Sequence, residues 1–164
     1  MKKAVILLPL VLLLFGCSEK NYETVSDAYV QPPRVAAQTQ LALPEDGSMV
    51  AVANAAAGTV YLCDGYCVTV STLVAGDLDA TLRATTGFSR SQLPVIELQD
   101  GENRRYECVW AAAGEGEDQI GRAVILDDGS FHYVLTVMGN ASEAGSLEGQ
   151  WQQILDSFSL CAAP

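Results

Sequence analysis

Four of the five cysteines lie beyond residue 60, where their thiols could form disulfides, bind a metal or carry out redox chemistry. They are Cys63, Cys67, Cys108 and Cys161. The CDGYC stretch places the first two on either side of an Asp-Gly pair, which is typical of a tight turn. In an exported chain, an even number of cysteines indicates structural disulfides. We therefore predict that Cys63 pairs with Cys67 and that Cys108 pairs with Cys161.

The two other kinds of thiol chemistry fit these cysteines less well. A redox-active pair is typically spaced C-x-x-C, whereas Cys63 and Cys67 are separated by three residues. A zinc site is usually completed by histidine or by further closely spaced cysteines, and no histidine lies nearby. The sequence therefore predicts no metal site and no cofactor.

His132 is the only histidine, so any catalysis that needs an imidazole must use it. A catalytic triad also needs a nucleophile that the histidine activates and a carboxylate that orients the histidine. The chain has no G-x-S-x-G motif, and Ser89 and Ser91 are loop hydroxyls without an evident base. We expect His132 to be a surface histidine in a strand, and we predict that the chain is not an enzyme.

Carboxylates and arginines offer other candidate sites. Asp77 and Asp79 lie in a predicted first helical turn, where acidic residues complement the helix dipole. Acidic turn residues could bind Ca²⁺, but their spacing fits no EF-hand loop and such a cation needs six or more oxygens. We expect solvated hairpin tips at Glu115, Glu117, Asp118, Asp127 and Asp128. Arg104 and Arg105 are neighbours in a predicted strand, so they point to opposite faces and form no single anion clamp.

The elements that must position these residues are strands first, then a helix, then more strands. Three runs rich in β-branched residues predict strands in residues 49–74: MVAVAN, GTVYL and CVTVSTLV. GDLDATLRATTG has a helical period, with Asp77 as the N-cap and Gly87 as the stop. Four apolar-rich segments then follow from residue 94, separated by QDGEN, GEGED and DDG, which are typical hairpin turns. These segments predict an antiparallel meander.

Side-chain periodicity predicts how these elements pack. In one predicted strand, alternation places Tyr106, Cys108 and Trp110 on the same face. In another, it places on the same face Phe131, Tyr133, Leu135 and Val137. The C-terminal segment carries one apolar stripe at helical spacing: Leu147, Trp151, Ile154, Leu155 and Phe158. A helix with such a stripe must lie on a sheet face. The predicted fold class is therefore α+β, an antiparallel sheet packed with a short helix and a C-terminal amphipathic helix.

The N-terminal segment is typical of a secretory signal. Lys2 and Lys3 give a basic start, and residues 4–15 form an apolar run. This run is too short to span a bilayer, which needs about 20 apolar residues. The sequence LFGC at residues 14–17 resembles the lipobox of bacterial lipoproteins, in which the signal peptide is cut just before the cysteine.

The lipobox resemblance implies that residues 1–16 are removed and that Cys17 carries the lipid. Two acyl chains already anchor a protein stably at a membrane. Ser18 at the second mature position resembles the family's sorting choice for the outer membrane, where the protein would face the periplasm. Residues 17–40 contain Pro32-Pro33 and lack periodicity, so we predict a lipidated, flexible tether followed by a single α+β domain at 41–164.

The charge balance limits the partners that the domain can bind. The chain has 9 basic and 20 acidic residues, a net charge of −11. Loss of the signal peptide would remove two lysines and leave a net charge of −13. Such a surface repels nucleic acid and anionic lipid headgroups. We therefore expect no nucleic-acid binding, and attachment to the membrane through the lipid on Cys17.

The end of the chain, FHYVLTVMG followed by WQQILDSFSL, resembles the PsbP-like α+β fold of small bacterial lipoproteins. This resemblance implies an accessory or assembly role and brings no catalytic motif. We therefore expect a lipid-anchored envelope protein whose non-catalytic domain binds another envelope protein. The alternative is a periplasmic module that binds a small ligand or a metal, which would need a pocket between sheet and helix with converging polar groups.

Overall fold

The computed structural model describes residues 34–44, 50–54, 58–113 and 117–161. The predicted signal peptide and the predicted lipid site at Cys17 lie outside these residues. In chain order the elements are β1 Thr39–Gln40, β2 Val50–Asn54, β3 Gly58–Cys63, β4 Tyr66–Val74, α1 Leu78–Thr86, β5 Val95–Asp100, β6 Asn103–Ala113, β7 Asp118–Asp127, β8 Phe131–Asn140, α2 Ala144–Ser157 and β9 Ser159–Leu160. A short 3-10 turn, Arg90–Gln92, follows α1.

Seven of these strands form one antiparallel sheet in the order β2-β3-β4-β8-β7-β6-β5. The predicted meander is confirmed, because β5, β6, β7 and β8 are neighbours in chain order. The other three strands of this sheet, β2, β3 and β4, join the meander where β4 pairs with β8. The remaining strands, β1 and β9, pair with each other outside this sheet. The predicted α+β class is thus confirmed.

The C-terminal helix α2 covers one face of the sheet, as its apolar stripe predicts. Trp151, Ile154 and Leu155 are buried against the side chains of β7 and β8. Burying each such side chain contributes about 1.5–3 kcal/mol. The helix ends at Ser157 because Phe158 is extended, with φ −73° and ψ 118°. The next two residues then form β9 instead of continuing the predicted helix.

The short helix α1 lies on the opposite face of the sheet. The Asp77 carboxylate accepts a hydrogen bond from the backbone N–H of Asp79 at 3.1 Å, which caps the first turn. Gly87 ends the helix with φ +82°, and its N–H donates to the carbonyl of Arg83. Leu82 is fully buried against the face that carries Tyr106. Both predicted ends of this helix are confirmed.

Helices on opposite faces bury both faces of the central strand β8. Tyr133 and Leu135 point toward α2, and Val134 points toward α1. The nine-residue helix α1 covers only part of its face, so among the described residues the sheet beyond α1 is left open beside β3 and β4.

Residues 34–40, which lie in the predicted tether, belong to the same compact unit as the sheet. Thr39 and Gln40 pair with the two residues of β9. The Ala37 backbone N–H donates to the Tyr133 hydroxyl at 2.8 Å. Residues 37–40 are therefore held against the domain, whereas their composition had placed them in the tether.

Candidate functional site

His132 is buried, with 2% of its surface exposed, so the prediction of a surface histidine is wrong. Strand alternation correctly placed it opposite to Phe131 and Tyr133, but α1 covers that opposite face. Its Nδ1 lies 2.7 Å from the Thr81 hydroxyl oxygen of α1, and its Nε2 lies 3.8 Å from an Asp127 carboxylate oxygen. The imidazole therefore connects α1 to the sheet through a buried hydrogen bond.

The predicted disulfide partners lie on opposite faces of the sheet. Leu62 is directly opposite Cys67 in the register of β3 and β4, so Cys63 points to the other face. Cys108 faces α1, whereas Cys161 follows α2 on the other side of the sheet. The pairing remains a prediction from the sequence that peptide mapping must test.

Burial makes two of these thiols poor nucleophiles. Desolvation raises the pKa of Cys108 to about 11, so the thiol stays protonated at neutral pH. Desolvation also raises the pKa of Cys67, and a backbone hydrogen bond from Met138 offsets part of this rise. Among the described residues, no group of three or more His, Cys, Asp or Glu side chains is arranged to hold a metal ion.

The acidic residues have structural partners, and one of them differs from the prediction. Asp79 pairs with Arg83 at 2.7 Å and accepts from the Arg90 backbone N–H at 2.6 Å, and this backbone bond does most to lower its pKa. Asp128 is more than a solvated hairpin tip. Burial would raise its pKa, but hydrogen bonds from the N–H groups after it and from the Tyr133 hydroxyl outweigh burial and lower the pKa.

The two adjacent arginines point to opposite faces, as alternation predicts. Arg104 is exposed on the α1 face. Arg105 lies on the α2 face, where its guanidinium donates to the carbonyls of Leu155 at 3.0 Å and Phe158 at 3.4 Å. Its Nε also pairs with Glu107 at 2.7 Å. Arg105 therefore caps the C-terminal end of α2, a role that nothing in the local sequence indicates.

A cavity of about 720 Å³ opens on the sheet beside α1. Its walls come from the end of α1, from β3 and β4, from the α1 face of β6 and β8, and from Thr39 of β1. The described lining residues are Thr39, Gly58, Thr59, Thr69, Val70, Ser71, Thr72, Leu73, Ala84, Thr85, Trp110, Val134, Thr136 and Met138. They are hydroxyl-bearing or apolar, and neither Thr81 nor His132 is among them.

A groove beside α2 lies on the other face of the sheet, over β6 and β7. It is made of cavities of about 150 and 390 Å³ that share Val109 and Arg122. Ile96 and Val109 line this groove, and Leu98 lies beside Ile96 on the same face of β5. These three side chains are 58%, 41% and 46% exposed, respectively. We call the shared cavities and these three side chains the α2-side groove. β5 is the edge strand of the seven-stranded sheet, so one side of its backbone has no strand neighbour there.

Sequence reasoning missed the α2-side groove, although a signal was present. Ile96 and Leu98 alternate with Glu97 and Gln99 at period two, which places both apolar side chains on one face. That alternation predicts an apolar face but does not say whether α2 is long enough to cover it.

Comparison with solved structures identifies the fold. Cyanobacterial PsbP from Synechocystis sp. PCC 6803 aligns with a TM-score of 0.52 and 8% identity, over 80% of this chain and 96% of that chain. The chain has a PsbP-like fold. A protein from Bacteroides thetaiotaomicron VPI-5482 also aligns with a TM-score of 0.52 and 8% identity, over 76% of this chain, which spans 45% of that one.

Other comparisons add no residue roles. LpqN, involved in cell envelope biogenesis of Mycobacterium tuberculosis, aligns with a TM-score of 0.48 and 12% identity, over 82% of this chain and 88% of that chain. No protein-family model matches the sequence, and no curated protein matches it. In the described part of the chain, every helix is too short or too polar to cross a membrane.

Proposed function

We propose that this chain is a lipid-anchored envelope protein whose non-catalytic domain binds another envelope protein through the α2-side groove. The main support for this proposal is that Ile96, Leu98 and Val109, the apolar side chains of that groove, are exposed. Adjacent exposed apolar side chains on one face are typical of an interaction surface. The burial of His132 beneath α1 supports a role without acid–base catalysis.

The groove and the charge of the chain define the chemistry of the partner. Apolar side chains of the partner would fill the space along Val109, where Arg122 is already engaged with Gln152 at 2.7 Å. An extended segment could also hydrogen-bond to the open backbone edge of β5. The net charge of −11 favours basic residues around that apolar segment. The proposed partner is therefore a protein segment that combines apolar and basic side chains.

Site-specific crosslinking in intact cells tests this surface. A photoreactive phenylalanine derivative replaces Ile96 or Val109 in the groove, and Val74 serves as the matched control. Val74 is also an exposed strand valine, at 79%, but it lies on β4 and away from the groove. We expect one adduct of the same mass from positions 96 and 109 and none from position 74. Equal adducts from all three positions would contradict a specific site.

A charge substitution then tests whether the adduct reflects binding. Leu98→Asp should reduce the adduct at position 96 at least tenfold, whereas Val74→Asp should leave it unchanged. Attraction between the acidic domain and a basic partner also predicts less adduct at high salt, since the Debye length falls from about 10 Å at 0.1 M to about 3 Å at 1 M. An adduct that survives Leu98→Asp would overturn the proposed surface.

The proposed anchor is tested separately at Cys17. Cys17→Ala should release the domain from the membrane fraction without changing its thermal unfolding. Electrostatic attraction to the membrane cannot replace the lipid anchor, because an acidic chain is repelled by anionic headgroups. Outer-membrane placement, which Ser18 supports by resemblance, is tested by separating the two membranes on a density gradient. A Cys17→Ala chain that stays membrane-bound would refute lipid anchoring.

A further inference from the structure

The cavity beside α1 has properties of a ligand site that the proposed protein-binding surface does not use. We infer that it binds one uncharged small molecule that has an apolar body and a few hydroxyl or carbonyl groups. The cavity lies on the α1 face of the sheet, whereas the α2-side groove lies on the other face. Evidence against the protein-binding groove would therefore not count against the ligand cavity, and the reverse also holds.

The size of the cavity fits a small molecule. Ligand pockets typically have volumes of about 300–1,000 Å³, and this cavity has about 720 Å³. Within the part of the chain that the structure describes, the cavity exists because α1 ends at Thr86 and does not cover the neighbouring part of the sheet. Trp110 does not fill that space, since its indole lies across Gly121. A Cβ on Gly121 would come within 2.3 Å of the indole Cζ2.

A cluster of hydroxyls supplies the polar part of the site. Thr69 of β4 and Thr136 of β8 are direct cross-strand partners, and Ser71 is the next residue on the same face of β4. All three line the cavity and are half-buried. Within the described part of the chain, their hydroxyls make no side-chain hydrogen bond. They are therefore available to donate to, or accept from, a group on a ligand.

The other residues that line the cavity indicate that the ligand is uncharged. None of the described residues that line the cavity is Asp, Glu, Lys, Arg or His. A charged ligand group would lose its water there without gaining an ionic partner, which is costly. An anion would in addition be repelled by the net charge of −11. Trp110, Val134 and Met138 offer apolar contact instead. The fitting ligand is thus uncharged and largely apolar.

Two fluorescent probes that share a ring system test the charge rule on the full chain. N-phenyl-1-naphthylamine is uncharged, and 1-anilinonaphthalene-8-sulfonate adds a sulfonate to the same rings. We expect saturable binding of the uncharged probe, with an affinity at least tenfold higher than that of the sulfonate. Equal affinities would overturn the inference of an uncharged ligand, and no saturable binding of the uncharged probe would overturn the site.

Filling the cavity identifies where the probe binds. Ser71→Phe should weaken binding of the uncharged probe at least tenfold, whereas Val74→Phe, on the same strand but outside the cavity, should leave it unchanged. Unchanged binding by folded Ser71→Phe protein would overturn the site. Circular dichroism checks that both variants are folded.

Energy transfer from tryptophan gives a second measurement that does not depend on the Ser71 variant. The chain has two tryptophans, and Trp151 lies under α2 on the other face. Trp151→Phe leaves Trp110 as the sole donor. The bound uncharged probe should quench Trp110 emission with the same midpoint as its own fluorescence increase. Saturable probe fluorescence without this quenching would place the probe elsewhere and overturn the inference.

Discussion

Replacement of Arg105 by methionine should destabilise the domain far more than the same replacement of its neighbour Arg104. The side chain of Arg105 is only 11% exposed, and its guanidinium joins β6 to the C-terminal end of α2. Methionine keeps most of the aliphatic stem but removes the charge and all the donors. The carbonyls of Leu155 and Phe158 then lose these hydrogen bonds, and Glu107 loses its ionic partner.

The size of the effect follows from these contacts. A hydrogen bond that involves a charged group contributes about 1.5–3 kcal/mol. A cation at a partly buried helix C-terminus adds up to about 2 kcal/mol. The pair with Glu107 is worth less than a fully buried one, because that carboxylate is 27% exposed. Since these contributions overlap, we expect Arg105→Met to lower the free energy of unfolding by about 3 kcal/mol.

Urea unfolding followed by circular dichroism measures this change. Arg104→Met is the matched control, because the adjacent side chain is exposed on the opposite face. The control should shift the unfolding midpoint little, and both variants should keep the same slope against urea. In a cycle with Glu107→Gln, the double variant should lose less than the two single losses combined. Equal destabilisation by the two arginine variants would refute the capping role of Arg105.

Three further changes have defined outcomes. Gly149→Ala should raise the free energy of unfolding by about 0.5–1 kcal/mol in urea titrations, since a Cβ meets nothing within 4 Å in α2. Asp128→Asn should lower the free energy of unfolding at pH 7. Because folding lowers the Asp128 pKa, the stabilisation by the ionised carboxylate is present above about pH 4 and is lost on acidification. The melting temperatures of the variant and the wild type should therefore converge at low pH. In reduced protein, Cys108 should react with iodoacetamide only after unfolding, because its thiol is buried and protonated at neutral pH. Rapid reaction of Cys108 in folded, reduced protein would contradict this burial.

The sequence predicted the elements whose signals are local. Asp77 and Gly87 mark the ends of α1 because a cap and a left-handed residue act within one turn. The meander follows from its Gly-Asp turns, and the side of the sheet that each residue faces follows from alternation. The stripe that includes Trp151 and Leu155 predicts a buried helix face because its period matches the helix. None of these inferences needed contacts between distant parts of the chain.

The features that the sequence did not predict all depend on distant partners. β1 and β9 pair although residues 39 and 160 are far apart in the chain. The cap that Arg105 provides for α2 joins residues 50 and 53 positions apart. β1 and β9 have two residues each, which is too short for an alternating pattern. The residues next to Arg105 in the sequence do not indicate which group its side chain contacts. Such pairings therefore require the fold to be known first.

The burial of His132 and the openness of the cavity have the same origin, which is the length of α1. Alternation tells which face a strand residue occupies, but only the position of the nine-residue helix decides whether that face is covered. Over His132 the helix is present, so a polar strand residue becomes a buried partner of Thr81. Over Thr69 and Thr136 the helix has ended, so residues of ordinary strand composition line an open cavity. The same face of one sheet thus contains both a structural histidine and a candidate ligand site.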